Sequence, residues 1–112
     1  MLSALKQSSL VIRELSDDIV SVLKSLANKD RLLILSLLLN EELNVSEIEA
    51  KSEILQPTLS QQLMILRKNN VVTTRRAGKQ IFYSIKDQRF VKILNDIYQF
   101  HFTHPIAVLA TS

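Results

Sequence analysis

The chain has 112 residues, 46% of them apolar, with 14 Lys plus Arg against 11 Asp plus Glu, one Gly, two Pro and no Cys. This length and apolar content suit one folded domain, residues 1–112, and argue against disorder. The lack of cysteine excludes a disulfide scaffold, a thiolate metal site and a cysteine nucleophile, and a single glycine leaves no room for a glycine-rich phosphate loop.

In chain order, Ile12, Leu15, Ile19, Val22, Leu23 and Leu26 recur at helical spacing and predict an amphipathic first helix. Asn28 then offers an N-cap for a second helix over Arg31–Asn40. That segment carries leucine or isoleucine at almost every position from 32 to 39, broken by Ser36. A helix apolar on all sides belongs at the centre of a core. The run is far too short to cross a bilayer, which takes roughly 20 apolar residues. The N-terminus has no basic stretch followed by a sustained apolar run, so a cytosolic protein is expected.

A short third helix is predicted to open at Ser46, with Glu49 completing a capping box and Val45 and Ala50 forming the staple beside it. Pro57 breaks that helix around 54–56 and opens another, because proline suits a helix start and disfavours helix in the residue before it. In this fourth helix Leu59, Leu63 and Leu66 form the buried stripe. Thr58, Ser60, Gln61 and Gln62 leave an uncharged polar face, and Arg67 and Lys68 suit the dipole of the last turn. Asn69-Asn70 is a stop signal. Two strand-like runs follow, Val71–Arg76 and Lys79–Ile85, joined through Ala77-Gly78. From Asp87 a last helix places Phe90, Leu94, Ile97, Tyr98 and His101 on one stripe, and Pro105 stops it near residue 103.

Charge is distributed unevenly along this order. Residues 54–86 contain no acid and six basic residues, Arg67, Lys68, Arg75, Arg76, Lys79 and Lys86, while the rest of the chain is mildly acidic. A basic third of the chain suggests a polyanionic partner. Two consecutive short helices across a tight turn make a helix-turn-helix, whose second helix enters a major groove. Glutamine can pair with adenine, Ser and Thr can bond several base edges, and Arg and Lys belong at phosphates. The base-reading candidates are therefore Thr58, Ser60, Gln61 and Gln62, with Gln56 at the helix entrance. The phosphate or wing candidates are Arg67, Lys68, Arg75, Arg76 and Lys79.

The segments VLKSLANKDRLLILSLL and VSEIEAKSEILQPTLSQQLMILRKNNVVTTRRAGKQIFYSI resemble the ArsR/SmtB winged-helix repressors of bacteria, over roughly residues 18–100. QPTLSQQL, VVTTRR and KQIFY are most similar to the BigR-like branch, the biofilm-growth-associated repressors that respond to sulfide or persulfide. The resemblance implies a mainly α fold with a β-hairpin wing, ordered α-α-α-α-β-β-α, and a homodimer that binds double-stranded DNA at a near-palindromic operator. It places the recognition helix at about 56–68, the wing at about 71–85 and the dimerisation helices at about 11–26 and 87–102. Ile12, Leu15, Ile19, Phe90, Leu94, Ile97 and Tyr98 would supply the apolar area of the dimer interface.

The chain departs from that branch at its sensor. The two sensing cysteines fall at Ser36 and near Phe102, so thiol sensing is excluded. Ser36 alone would fit a cysteine replacement, whereas Phe102 favours natural divergence. Asp96, His101 and His104 are the only remnants of a metal set on the last helix, and their spacing does not match the family's ligands, so no metal and no cofactor are expected. No nucleophile elbow, metal cluster or phosphate loop suggests an enzyme. Glu41-Glu42 and Asp17-Asp18 read as solvated helix ends. A metal-responsive repressor and a winged-helix protein-interaction module are the alternatives.

Overall fold

The computed structural model describes residues 9–102; the possible ligand His104 and the tail from Pro105 to Ser112 lie outside the described residues. The elements are α1 Ser9–Leu26, α2 Lys29–Leu38, β1 Leu43–Asn44, α3 Val45–Ser52, α4 Thr58–Lys68, β2 Val72–Ala77, β3 Gln80–Ile85 and α5 Gln88–Phe102. The order is the expected one with a short strand added before α3. Among the described residues no helix is long and apolar enough to cross a membrane.

The core forms on one side of α2, where Ile34, Leu35 and Leu38 are buried; the helix is not enclosed on all sides as expected, since Leu33 is exposed and Leu32 and Leu37 are half-buried. Ile34 and Leu35 are fully buried together with Ile48 of α3, Leu59 and Leu66 of α4, Val71 and Leu94 of α5. Asn28 caps α2, its Oδ1 accepting from the Arg31 amide at 3.0 Å. The α4 stripe of Leu59, Leu63 and Leu66 is buried as its spacing predicts.

Three local expectations are corrected. The capping box of α3 is Asn44 with Glu47, not Ser46 with Glu49: Asn44 Oδ1 accepts from the Glu47 amide at 2.8 Å, and Glu47 Oε1 accepts from the Asn44 amide at 3.0 Å. Asparagine meets the same requirement as serine. The flanking staple positions become Leu43 and Ile48, both buried in the core, instead of Val45 and Ala50. Next, α4 begins at Thr58 with Pro57 as its N-cap. Gln56 lies outside the helix, but its Oε1 accepts from the Ser60 amide at 3.0 Å, satisfying an amide of the first turn. Last, the hairpin turn is Gly78-Lys79. Ala77 pairs with Gln80, so Ala77 belongs to β2 and Lys79 to the turn. Gly78 has φ 64° at the first turn position, as a type II′ turn requires.

Helix α4 ends where Asn69-Asn70 predicts. Asn70 takes φ 60°, and the Val71 and Asn70 amides donate to the Leu66 and Arg67 carbonyls at 2.9 and 3.1 Å. This is a Schellman motif, closed by burial of Val71 and Leu66. It turns the chain directly into the wing. The sheet order is β1-β3-β2, antiparallel throughout, with Leu43 opposite Tyr83 and Asn44 opposite Phe82. Asn44 thus pairs with the wing through its backbone, caps α3 through Oδ1 and donates from Nδ2 to Gln80 Oε1 at 3.2 Å.

Candidate nucleic-acid interface

Helix α3, the turn over residues 53–57 and α4 form the helix-turn-helix, and α4 packs on β2 of the wing. With Leu59, Leu63 and Leu66 inward, the outward side of α4 carries Thr58, Gln61, Met64 and Lys68, all exposed.

The sequence-predicted reading residues divide into two groups. Thr58 and Gln61 present exposed side chains with no hydrogen bond among the described residues. Ser60 and Gln56 are bound to each other, the Ser60 hydroxyl donating to Gln56 Oε1 at 2.7 Å. Gln62 is half-buried, and its Oε1 accepts from Arg31 Nη1 at 2.9 Å. A bidentate pair with adenine needs both the oxygen and the nitrogen of the amide, and Gln62 has already committed its oxygen. Arg31 was not singled out from the sequence. It also donates from Nε to the Ser25 carbonyl at 2.6 Å and from Nη2 to the Lys24 carbonyl at 2.9 Å. One guanidinium therefore joins the end of α1, the start of α2 and the middle of α4.

The cations divide in the same way. Arg67, Lys68, Arg76 and Lys79 are exposed and form no ion pair among the described residues. Arg76 lies across the turn, Nε donating to the Gly78 carbonyl at 3.2 Å. Arg75 instead grips Glu42, from Nη2 to Oε1 at 2.5 Å and from Nε to Oε2 at 3.1 Å, and its guanidinium lies 5.0 Å from the centre of the Phe82 ring. These hydrogen bonds hold the Glu42 carboxyl below its ordinary pKa. Glu42 lies outside the acid-free stretch, so counting charge along the sequence treats Arg75 as unopposed when space pairs it.

The other candidate surface is on α1 and α5. Ile12, Leu15 and Ile19 are exposed, together with Leu23, a member of the expected helical stripe, and Val20, which that stripe omitted; neither was in the expected interface set. Ile93 and Ile97 of α5 are exposed as well, and an open apolar recess of about 270 Å³ lies between the helices, lined by Ile19, Val22, Leu23, Leu26, Ile93 and Asp18. Leu94 departs from the expected interface set: it is fully buried within the single chain, and Phe90 and Tyr98 are half-buried against the same core. Ile93 and Ile97, an i, i+4 pair, stand beside Leu94 on its flank, so one broad apolar face of α5 is split between the core and the exposed surface.

At the position where the resemblance puts a sensing cysteine, the Ser36 hydroxyl donates to the Leu32 carbonyl at 2.7 Å and is hydrogen-bonded to the Tyr98 hydroxyl. Helices α2 and α5 are thus joined there by hydroxyl groups. Asp96 is paired with Lys92 at 3.4 Å, and among the described residues no group of three or more His, Cys, Asp or Glu is placed to hold a metal ion.

A polar helix on a helix-turn-helix scaffold, followed by a hairpin with unpaired cations, defines the winged helix-turn-helix class of DNA-binding regulators. Residues 28–74 match the model of the family described as bacterial regulatory protein, arsR family. The biofilm growth-associated repressor of Agrobacterium fabrum is 42% identical over 81 residues, covering 72% of this chain and 69% of that protein. The chain belongs to the ArsR family. The crystal structure of the transcriptional repressor BigR from Xylella fastidiosa superposes with a TM-score of 0.74 at 34% identity, covering 83% of this chain and 95% of that one. The homodimeric winged helix-turn-helix DNA-binding domain of a Mycobacterium bovis protein superposes with a TM-score of 0.75 at 29% identity, covering 83% and 86%.

Proposed function

We propose that this chain is a cytoplasmic, homodimeric transcriptional repressor that binds a near-palindromic operator. In this reading α4 enters the major groove and the wing reaches flanking phosphates. The observation that carries it is the pairing of surfaces on one small molecule: an outward polar face on α4 next to unpaired cations, and an apolar face on α1 that its own chain leaves uncovered. The first suits DNA and the second suits another copy, as the Mycobacterium bovis neighbour's homodimeric state illustrates. A two-fold dimer presents α4 twice, which is what a palindromic site requires.

Within this reading Thr58 and Gln61 address bases, and Arg67, Lys68, Arg76 and Lys79 address phosphates. Gln56 and Ser60 build the start of α4, Gln62 anchors it to Arg31, and Arg75 braces the wing against Glu42. The interface uses Ile12, Leu15, Ile19, Ile93 and Ile97, with Leu94 behind it in the core. Persulfide should leave the complex intact, because the sequence contains no thiol.

Fluorescence anisotropy on the DNA upstream of the protein's own gene, with a scrambled duplex as control, tests the reading between about 50 and 200 mM salt. Tight, salt-sensitive preference for the upstream duplex is the expected result. Weak binding to both with no salt dependence would reject DNA binding in favour of a protein-interaction module.

A further inference from the structure

Met64 is 66% exposed on the outward side of α4, in one stripe with the polar or basic Thr58, Gln61 and Lys68; the other exposed apolar side chain of the helix, Ile65, is only 36% exposed. It stands three residues after Gln61 and four before Lys68, the spacing that places all three on one stripe. Nothing in the core needs it there, since Leu59, Leu63 and Leu66 fill the inner side.

We propose that Met64 is a specificity-determining residue that reads the 5-methyl group of a thymine in the major groove. This rests on α4 being the DNA-reading helix. Thymine is the only base that presents an apolar group to that groove, and apolar side chains recognise it by contact. Methionine suits the role because its unbranched, polarizable chain adapts to an uneven surface. Spacing identifies the base pair. A helix rises about 1.5 Å per residue, so Met64 lies about 4.5 Å beyond Gln61 along α4. Base pairs are stacked about 3.4 Å apart. Gln61 and Met64 therefore address neighbouring base pairs, and Lys68, a further turn along, reaches the backbone. With Ser60 bonded to Gln56 at the surface and Gln62 to Arg31, the reading stripe is Thr58, Gln61 and Met64.

The test removes one methyl group at a time from the DNA. The probe is the tightest duplex that the wild-type protein enriches from a random-sequence pool, made with thymine or with deoxyuridine at each thymine position in turn. Base pairing is kept and only the methyl group is lost. Wild type should bind about fourfold more weakly when the thymine beside the Gln61-dependent base pair is replaced, the value of one buried methyl group. Met64→Ala should bind the two duplexes equally, and Met64→Leu should restore part of the difference. If wild type does not distinguish thymine from deoxyuridine at any position, or if Met64→Ala keeps the wild-type ratio, the proposal is overturned. If the pool yields no preferred sequence at all, DNA reading by α4 fails first and the role of Met64 with it.

Discussion

Arg31→Ala offers a quantitative test of how this fold carries its reading helix. The substitution removes the donors to the Ser25 carbonyl, the Lys24 carbonyl and Gln62 Oε1. The two carbonyls belong to the last turn of α1, where helix geometry leaves acceptors without partners. The bond to Lys24 is exposed, so water replaces it at little cost. The bonds to Ser25 and Gln62 are partly buried. Hydrogen bonds from a charged donor contribute about 1.5–3 kcal/mol each. Taking the lower value for two such bonds predicts a loss of about 3 kcal/mol. Urea unfolding followed by far-ultraviolet circular dichroism measures this, at one protomer concentration because dimer stability depends on concentration. Arg31→Lys should recover less than half, since one ammonium group cannot span three acceptors in separate directions. A loss below about 0.5 kcal/mol for Arg31→Ala, the range of an ordinary surface change, would refute the clamp.

Further predictions concern the other surfaces. Ile19→Asp should convert the protein to a folded monomer by sedimentation velocity; a persistent dimer would remove α1 from the interface. Arg76→Ala should make the salt dependence of operator binding shallower by about one unit. Glu42→Gln should steepen it by freeing Arg75, and an unchanged slope in both would discard the division of cations drawn above. Asp87 caps α5, accepting from the Arg89 amide at 2.8 Å and pairing with the Arg89 guanidinium, whose hydrogen bonds lower its pKa to about 2. Because the folded value lies below the unfolded one, Asp87 stabilises the fold above about pH 4, and this is lost as pH falls toward 2. The melting-temperature difference between wild type and Asp87→Asn should therefore shrink across that interval; a constant difference would contradict it.

The elements legible in the sequence are those governed by neighbours. Asn28 as a cap, the α4 stripe and the Asn69-Asn70 stop each depend on residues within one or two turns. The α3 cap was ambiguous for the same reason: Asn44-x-x-Glu47 and Ser46-x-x-Glu49 satisfy one local rule equally. The choice between them is made by Leu43 entering the core and Asn44 pairing with Phe82, a contact distant in sequence. Strand β1 is too short to leave a periodic signal. The roles of Gln62 and Arg75 depend on Arg31 and Glu42, each more than thirty positions away. Side-chain type identified the kind of surface, and only the fold showed which of its members are already occupied. Leu94 shows this for the apolar stripe, which a helical wheel cannot divide between a chain's own core and a partner.

Asn44 joins the wing strand, the α3 cap and Gln80 at one residue. The hairpin and the helix-turn-helix therefore behave as the two jaws of a fixed caliper. Bending the wing away means breaking the pairing of Asn44 with Phe82 and its bond to Gln80, which ties the wing to the residue that caps α3. Any adjustment on contact falls to the duplex, and duplexes differ in how readily they widen, narrow or bend. On the proposed reading of α4 and the wing as the DNA-binding surfaces, a protein held this way at Asn44 would sense the shape of DNA at base pairs that no side chain touches.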